Sequence, residues 1–204
     1  MRLLASVMAL TFSMSLLAAK PTAKVEPILT QYQIDTSHGS LDFSIKHMMI
    51  SNTKGAFKKW DGSFMFDKES GKLSDVKVNV DINSIDTKDE KRDGHLKGAD
   101  FFDTAKFPSM AFVSNSVSMK AKKPSKIVGD LTIHGVTKPV TLNVDYLGST
   151  KSMMGTDVVA FKGTTMINRK DFGLTWNKAL ELGGVAIGEE VSISFDFEAG
   201  PTNK

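Results

Sequence analysis

The chain has 204 residues and no cysteine, and 26 Lys and Arg stand against 23 Asp and Glu for a formal net charge of +3 at pH 7. That length suits one domain with a sizeable core, while the missing cysteine excludes disulfides, thiolate metal sites and a cysteine-linked lipid anchor. Charges of both signs intermingle at near balance, which argues against nucleic acid as a partner.

The first nineteen residues read as a secretory signal peptide: a basic start at Met1-Arg2, an apolar run from Leu3 to Leu17, and Ala18-Ala19 before Lys20-Pro21. The alternative is an uncleaved anchor, but the run is shorter than the ~20 residues a membrane span needs. Residues 20–30, with Pro21 and Pro27, form an N-terminal arm or linker. From there apolar residues recur at every second position, the mark of strands with one buried face. Leu41, Phe43 and Ile45 alternate with Asp42, Ser44 and Lys46, and Val76, Val78, Val80 and Ile82 with Lys77, Asn79 and Asp81. Strand-like runs fall at 39–49, 53–67, 73–83, 108–119, 126–134, 138–148, 157–168 and 189–198. These eight predict an all-β, up-and-down antiparallel barrel over 31–199, which leaves no edge unpaired, with a tail at 200–204.

Two connections are long. In 84–107, Thr87-Lys88-Asp89-Glu90 reads as a capping box for a short helix between the third and fourth strands, reaching about Lys97 and ended by Gly98 in a left-handed cap. Phe101, Phe102 and Phe107 follow on non-strand chain and need cover. In 169–188, Phe172, Leu174, Trp176, Leu180 and Leu182 lie among glycines. That loop either covers a barrel mouth or packs on the outer wall. The 126–134 and 138–148 strands meet through His134-Gly135, where Gly135 can take a positive φ. The basic stretch from Lys120 to Lys126 reads as a solvated hairpin loop.

Strand phase turns Leu41, Phe43, Ile45, Phe64, Phe66, Val76, Val78, Val80, Ile82, Ile127, Leu131, Ile133, Val140, Leu142, Val144, Val159, Phe161, Ile167, Ile193 and Phe195 inward. Phe57, Phe102, Phe112, Phe172 and Trp176 join them as candidate lining of a lumen, with His47 in phase at its end. Thirteen phenylalanines against two tryptophans and two tyrosines make a wall poor in hydroxyls. Such a wall suits a ligand that offers no hydrogen bonds, although periodicity alone is equally consistent with a filled core.

Several ordered motifs carry a family resemblance. Tyr32-x-Ile34-Asp35-x-x-His38, Leu41-x-Phe43-x-Ile45-x-His47 and Gly55-x-Phe57 open it; Ser84-Ile85-Asp86-Thr87, Arg92-Asp93-x-His95-Leu96 and Asp100-Phe101-Phe102-Asp103 continue it. Gly129-Asp130-Leu131-Thr132-Ile133-His134-Gly135-Val136-Thr137-Lys138-Pro139-Val140 and Asn168-Arg169-x-Asp171-Phe172-Gly173 complete it. Together these resemble the YceI-like family of bacterial periplasmic polyisoprenoid-binding proteins across residues 31 to 199. One departure is Gly39 after His38, where the family usually carries Ser. The resemblance implies a lipocalin-like barrel, often dimeric, in the periplasm. It further implies a polyisoprenoid, isoprenoid quinone or fatty-acid derivative as ligand, with no cofactor and no catalysis.

The four histidines, His38, His47, His95 and His134, lack the spacing of a metal site, so no metal is expected. His38, Arg92, His95 and Arg169 are candidates for orienting a head group, since Arg offers a rigid fork of donors. The alternative is that intramolecular pairs, Arg92–Asp103 or Arg169–Asp171, pin the loops. Met153-Met154 form either a membrane contact or a flexible hairpin tip. Burying each methylene is worth ~0.8 kcal/mol, so a sixteen-carbon tail gains roughly 12 kcal/mol before association costs. The reading is therefore non-catalytic binding, sequestration or transport of a long apolar lipid. Two alternatives stand beside it: a periplasmic stress-response interaction protein with a filled core, and an enzyme using His47 with Asp35 on a bound isoprenoid.

Overall fold

The computed structural model describes residues 26–181 and 183–202. The expected signal peptide at 1–19, arm residues 20–25, Leu182 and residues 203–204 lie outside the described residues. The elements run β1 (Thr30–His47), β2 (Ser51–Phe57), β3 (Trp60–Phe66), β4 (Leu73–Asp81), β5 (Ile85–Asp86), α1 (Glu90–Lys97), β6 (Ser109–Lys120), β7 (Lys123–Ile133), β8 (Val136–Lys151), β9 (Asp157–Asn168) and β10 (Ile187–Pro201). Strands β1, β3, β4, β6, β7, β8, β9 and β10 pair antiparallel in a ring that closes from β10 back onto β1. This is the predicted eight-stranded antiparallel barrel with its one short helix, on the predicted stretch between β5 and β6.

The ring is not uniform around β1. Thr30–Gln33 pair with β3, whereas Asp42–His47 pair with β2. The run read as one strand over 53–67 is therefore two, broken at Lys58 and Lys59. Their amide groups leave the ladder and donate to the Ser84 carbonyl and hydroxyl at 3.1 and 2.9 Å. Opposite, β4 breaks at the same level into a 3-10 turn at Ile82–Ser84 and resumes as β5, which pairs with β2. Two adjacent strands thus bend together, and the wall flares toward one end.

β1 also starts earlier than expected. Tyr32 and Ile34 are buried, but a bulge follows: Asp35 pairs with Glu198 and Gly39 with Phe197, so Thr36, Ser37 and His38 have no counterparts on β10. An insertion of that kind resets the alternation, which hides the first half of the strand from a period-two reading. At the other side of the seam Gly200 and Pro201, expected in the tail, pair with Gln33 and Tyr32. The β7–β8 hairpin turns through His134 and Gly135 at φ 52° and 74°, the left-handed pair that a two-residue hairpin demands.

One end of the barrel is plugged by rings. Tyr32, Phe64, Phe66, Tyr146 and Phe161 interlock, with centroids 5.1 Å apart for Phe66–Tyr146, 5.3 Å for Phe66–Phe161 and 5.5 Å for Phe64–Phe161. Such tilted and edge-on pairs add to what their burial contributes. Farther along, β9 buries Val159, Phe161, Thr165 and Ile167 on one face, with Gly163 in the same phase. A Cβ on Gly163 would stand 2.4 Å from Phe195 Cζ and 2.6 Å from the Asn143 carbonyl, so the missing side chain is what lets Phe195 lie across the wall.

Two outcomes are expected. Gly163→Ala forces the Phe195 ring or the β8–β9 ladder to move and should cost roughly 1–3 kcal/mol in urea unfolding. In the bulge, Asp35 accepts from Ser37 and lies 2.9 Å from His38 Nδ1. The Ser37 hydrogen bond and then His38 hold the Asp35 carboxyl at about 2, while the bond and charge of Asp35, with Glu198 behind it, raise His38 above 6.5. The pair's contribution is therefore complete between the ordinary carboxylate value and 6.5. It fades as pH falls through about 2, and as pH rises through the raised His38 value. NMR titration should place the His38 midpoint above 6.5, and Asp35→Asn should return it toward 6.5.

Candidate functional site

Inside the barrel lie two adjoining cavities, of about 110 and about 280 Å³, whose walls share Met110 and Ile193. A single water needs on the order of 10–15 Å³, so this interior is not filled by interlocking side chains. The smaller cavity occupies the middle of the barrel. Of the predicted lumen residues it takes Leu41, Phe64, Val78, Val80, Phe112, Leu131, Leu142, Phe161 and Phe195. Among the described residues the one hydroxyl lining it, that of Thr165, donates to the Thr141 carbonyl at 2.9 Å and has no proton left for a guest.

The larger cavity lies toward the end where β1 finishes and β10 begins. Predicted residues Phe43, Ile45, His47, Phe57, Phe102, Ile133 and Trp176 line it, as do Arg92, His95 and Arg169 from the head-group set. Three predicted residues line neither cavity. Phe66 has the right phase but sits in the aromatic plug. Phe172, 1% exposed, ends the 3-10 turn that follows β9 and is buried in the core. His38 stands on the exposed bulge, engaged by Asp35, away from both cavities.

The cavity mouth is built by the two long connections. Asp89, not Thr87, caps α1: its carboxylate accepts from the Lys91 and Arg92 amides, and Gly98 ends the helix in extended, not left-handed, conformation. The cause is local. Lys88 adopts φ 62°, which turns Thr87 away from the helix end, and the Thr87 amide and hydroxyl donate to Asp93 instead, at 2.9 and 2.5 Å. Arg92 then donates Nε to the Thr87 hydroxyl and Nη2 to its carbonyl, both at 2.8 Å. The expected Arg92–Asp103 pair does not form; Asp103 takes Lys106 at 2.8 Å.

The 169–188 segment lies over the mouth: Leu174, Trp176, Ala186 and Ile187 all face the larger cavity. Its closing contact is aromatic, with Trp176 5.1 Å from both His95 and Phe101, which are themselves 5.0 Å apart. Asn177 clasps the segment's return by donating to the Ile187 carbonyl at 2.7 Å and accepting from its amide at 3.1 Å. Arg169 ties both ends of this cover, with Nε on the Gly188 carbonyl at 2.8 Å and Nη1 on the Leu174 carbonyl. It therefore reaches past the adjacent Asp171, and the expected Arg169–Asp171 pair is replaced by a backbone tie. Burial pushes the Arg169 guanidinium below its ordinary value, partly opposed by Glu189.

Several lining residues were missed. Val191 and Phe197 share the phase of Ile193 and Phe195, and Met110 that of Phe112, so a fuller reading of the alternation finds them. Trp60 begins a strand just after the Lys58-Lys59 break, and Lys46, Ala186 and Ile187 gather at the rim through loop placement; nothing in the pattern marks them. The supposed His47–Asp35 pair is not brought together, because His47 lines the mouth while Asp35 stays on the bulge with His38.

A YceI-like domain model matches residues 32–199. The UPF0312 protein SAS2572 of Staphylococcus aureus (strain MSSA476) is 40% identical over 171 residues, covering 83% of this chain and 97% of that protein. Among solved structures, the Campylobacter jejuni YCEI protein is 31% identical with a TM-score of 0.69, covering 78% of this chain and 91% of that one. Burkholderia cenocepacia BcnA is 25% identical with a TM-score of 0.66, over 81% and 98%. A polyisoprenoid binding domain from Saccharophagus degradans shares the fold alone, at 16% identity and a TM-score of 0.58, over 85% and 99%. With a closed barrel of this form and a family match over residues 32–199, the chain belongs to the YceI-like family.

Proposed function

We propose that the barrel binds one long-chain apolar ligand, such as a polyisoprenoid, an isoprenoid quinone or a fatty-acid derivative, and carries it through the periplasm shielded from water, without transforming it. The observation that carries this reading is the pair of adjoining apolar cavities beneath an aromatic cover. An interaction protein would have no use for a hollow centre, since unfilled volume forfeits packing energy unless something occupies it. The polyisoprenoid binding domain that shares the fold supports a chain-like guest. Export rests on the signal-like residues 1–19.

Binding follows from area. A hydrocarbon entering these walls sheds its hydration while meeting few groups that compete for water. Release requires the 169–188 cover to part from α1 and the Phe101 turn, because Trp176 bridges them.

Mass spectrometry of an organic extract from gently purified protein should reveal a long-chain lipid at near-stoichiometric amount. Absence of any lipid, together with no response to added sixteen-carbon ligands, sinks the proposal. Trp60 and Trp176 both line cavities, so intrinsic fluorescence reports on occupancy. Leu142→Trp fills the smaller cavity and displaces two or more methylenes, which should weaken a sixteen-carbon ligand by about tenfold or more. Its far-UV circular dichroism should remain that of the parent. Trp176→Ala removes two aromatic contacts from the cover and should speed ligand release by about tenfold in stopped-flow measurements.

A further inference from the structure

The charged side chains of the larger cavity's wall are of one sign. Lys46, Arg92 and Arg169 border it beside the imidazoles of His47 and His95, and no Asp or Glu among the described residues does. The nearby carboxylates already have partners. Asp100 lies 2.9 Å from His95 Nε2, Asp93 accepts from Thr87, Asp89 caps α1, and Glu189 takes Lys170. Asp89 approaches Arg92 Nη1 only to 4.0 Å, and Glu189 acts on Arg169 through space.

Arg169 is the sharpest case. It is 3% exposed, its Nε and Nη1 donate to uncharged carbonyls, and its Nη2 is buried with no partner. A guanidinium carries five N–H donors and no acceptor, and the two on Nη2 stand unsatisfied beside an apolar chamber. An interior charge without a counter-charge is costly, and the low polarity of its surroundings strengthens its pull on any anion brought close. The smaller cavity is the opposite kind of place: no charged residue among the described ones lines it, and the proton of its single hydroxyl is already donated. Walls shared at Met110 and Ile193 join the two.

Resting on the reading that the barrel holds a long apolar chain, we infer that the ligand is an amphiphile with an anionic oxygen head, a carboxylate or phosphate ester. The head lodges against Arg169 and Arg92, and the hydrocarbon runs into the smaller cavity. An anionic oxygen accepts charge-assisted hydrogen bonds from the guanidinium edges and supplies the missing counter-charge. An uncharged hydrocarbon end supplies neither. Arg92, whose side chain is 41% exposed, reaches the cavity from the solvent side, so the head lies at the mouth and the tail enters first.

The test titrates the purified protein with hexadecanoate, hexadecyl phosphate and hexadecanol, three guests of equal tail length, and follows tryptophan fluorescence. At least one anion should bind about tenfold or more tightly than the alcohol, as a charge-assisted hydrogen bond to a buried group implies. Which anion binds better distinguishes a fatty acid from a phosphorylated lipid. Arg169→Gln and Arg92→Gln should each reduce the gap between anion and alcohol to less than about threefold. Arg169→Gln also loses a tie in the cover. If circular dichroism shows it unfolded, Arg92→Gln decides alone. Equal affinity for alcohol and anions, or an anion preference that neither variant reduces, overturns this inference and leaves the lipid-binding reading standing. No binding of any of the three overturns that reading, and this inference with it.

Discussion

Everything inside the molecule depends on the seam between β1 and β10. It runs from Tyr32 opposite Pro201 to His47 opposite Ile187 and turns a sheet into an enclosure. An open sheet of the same strands would bury one face against nothing, and its cavities would be grooves filled with water. Closure makes the interior an apolar solvent of limited volume. It also places the two ends of the seam at the two ends of that volume, with Tyr32 in the aromatic plug and His47 on the rim of the mouth.

The space is left open by a division of labour among side chains, not by any single large void. At the plugged end five rings meet in edge-on, tilted and stacked pairs and consume the volume. Toward the other end, β2 and β5 splay from the ring after the breaks at Lys58-Lys59 and Ile82–Ser84, and the wall there consists of loop and short helix as well as strand. Ring packing that tight cannot follow a wall that bends outward, so the larger cavity falls where the ladder has been interrupted. The interruptions are satisfied locally: Ser84 receives both stray amides, which allows the flare without orphaned backbone donors.

Much of this was legible in strand phase. A two-residue period needs only a regular ladder, and wherever the ladder is regular the inward residues are the ones expected, from Val78 and Val80 through Leu131 and Phe161 to Phe195. Phase does not report position along the barrel axis, which is why Phe66 belongs to the plug and not to the lumen. Nor does it survive a bulge: three extra residues on β1 hid Tyr32 and Ile34, and a single positive φ at Lys88 moved the helix cap from Thr87 to Asp89. The polar partners were the least legible. Arg92 and Arg169 pass over the nearest acids and bind backbone carbonyls or a hydroxyl, because loop conformation decides which acceptors converge and sequence distance does not.

Arg169 joins two roles that are usually separate. An apolar residue of its size could fill the same space, but it would leave the Leu174 and Gly188 carbonyls without their donor and the cover without its tie. The same side chain that holds the cover in place therefore brings a charge to the cavity wall, and the charge is the unavoidable companion of the tie. A guest that satisfies the remaining nitrogen strengthens the whole guanidinium cluster, because bonds in one network polarise one another in a medium of low dielectric. Under the proposed function, occupancy and closure are coupled through one residue: a ligand head on Arg169 would hold the cover more firmly, and release would first loosen Arg169 from the backbone it spans.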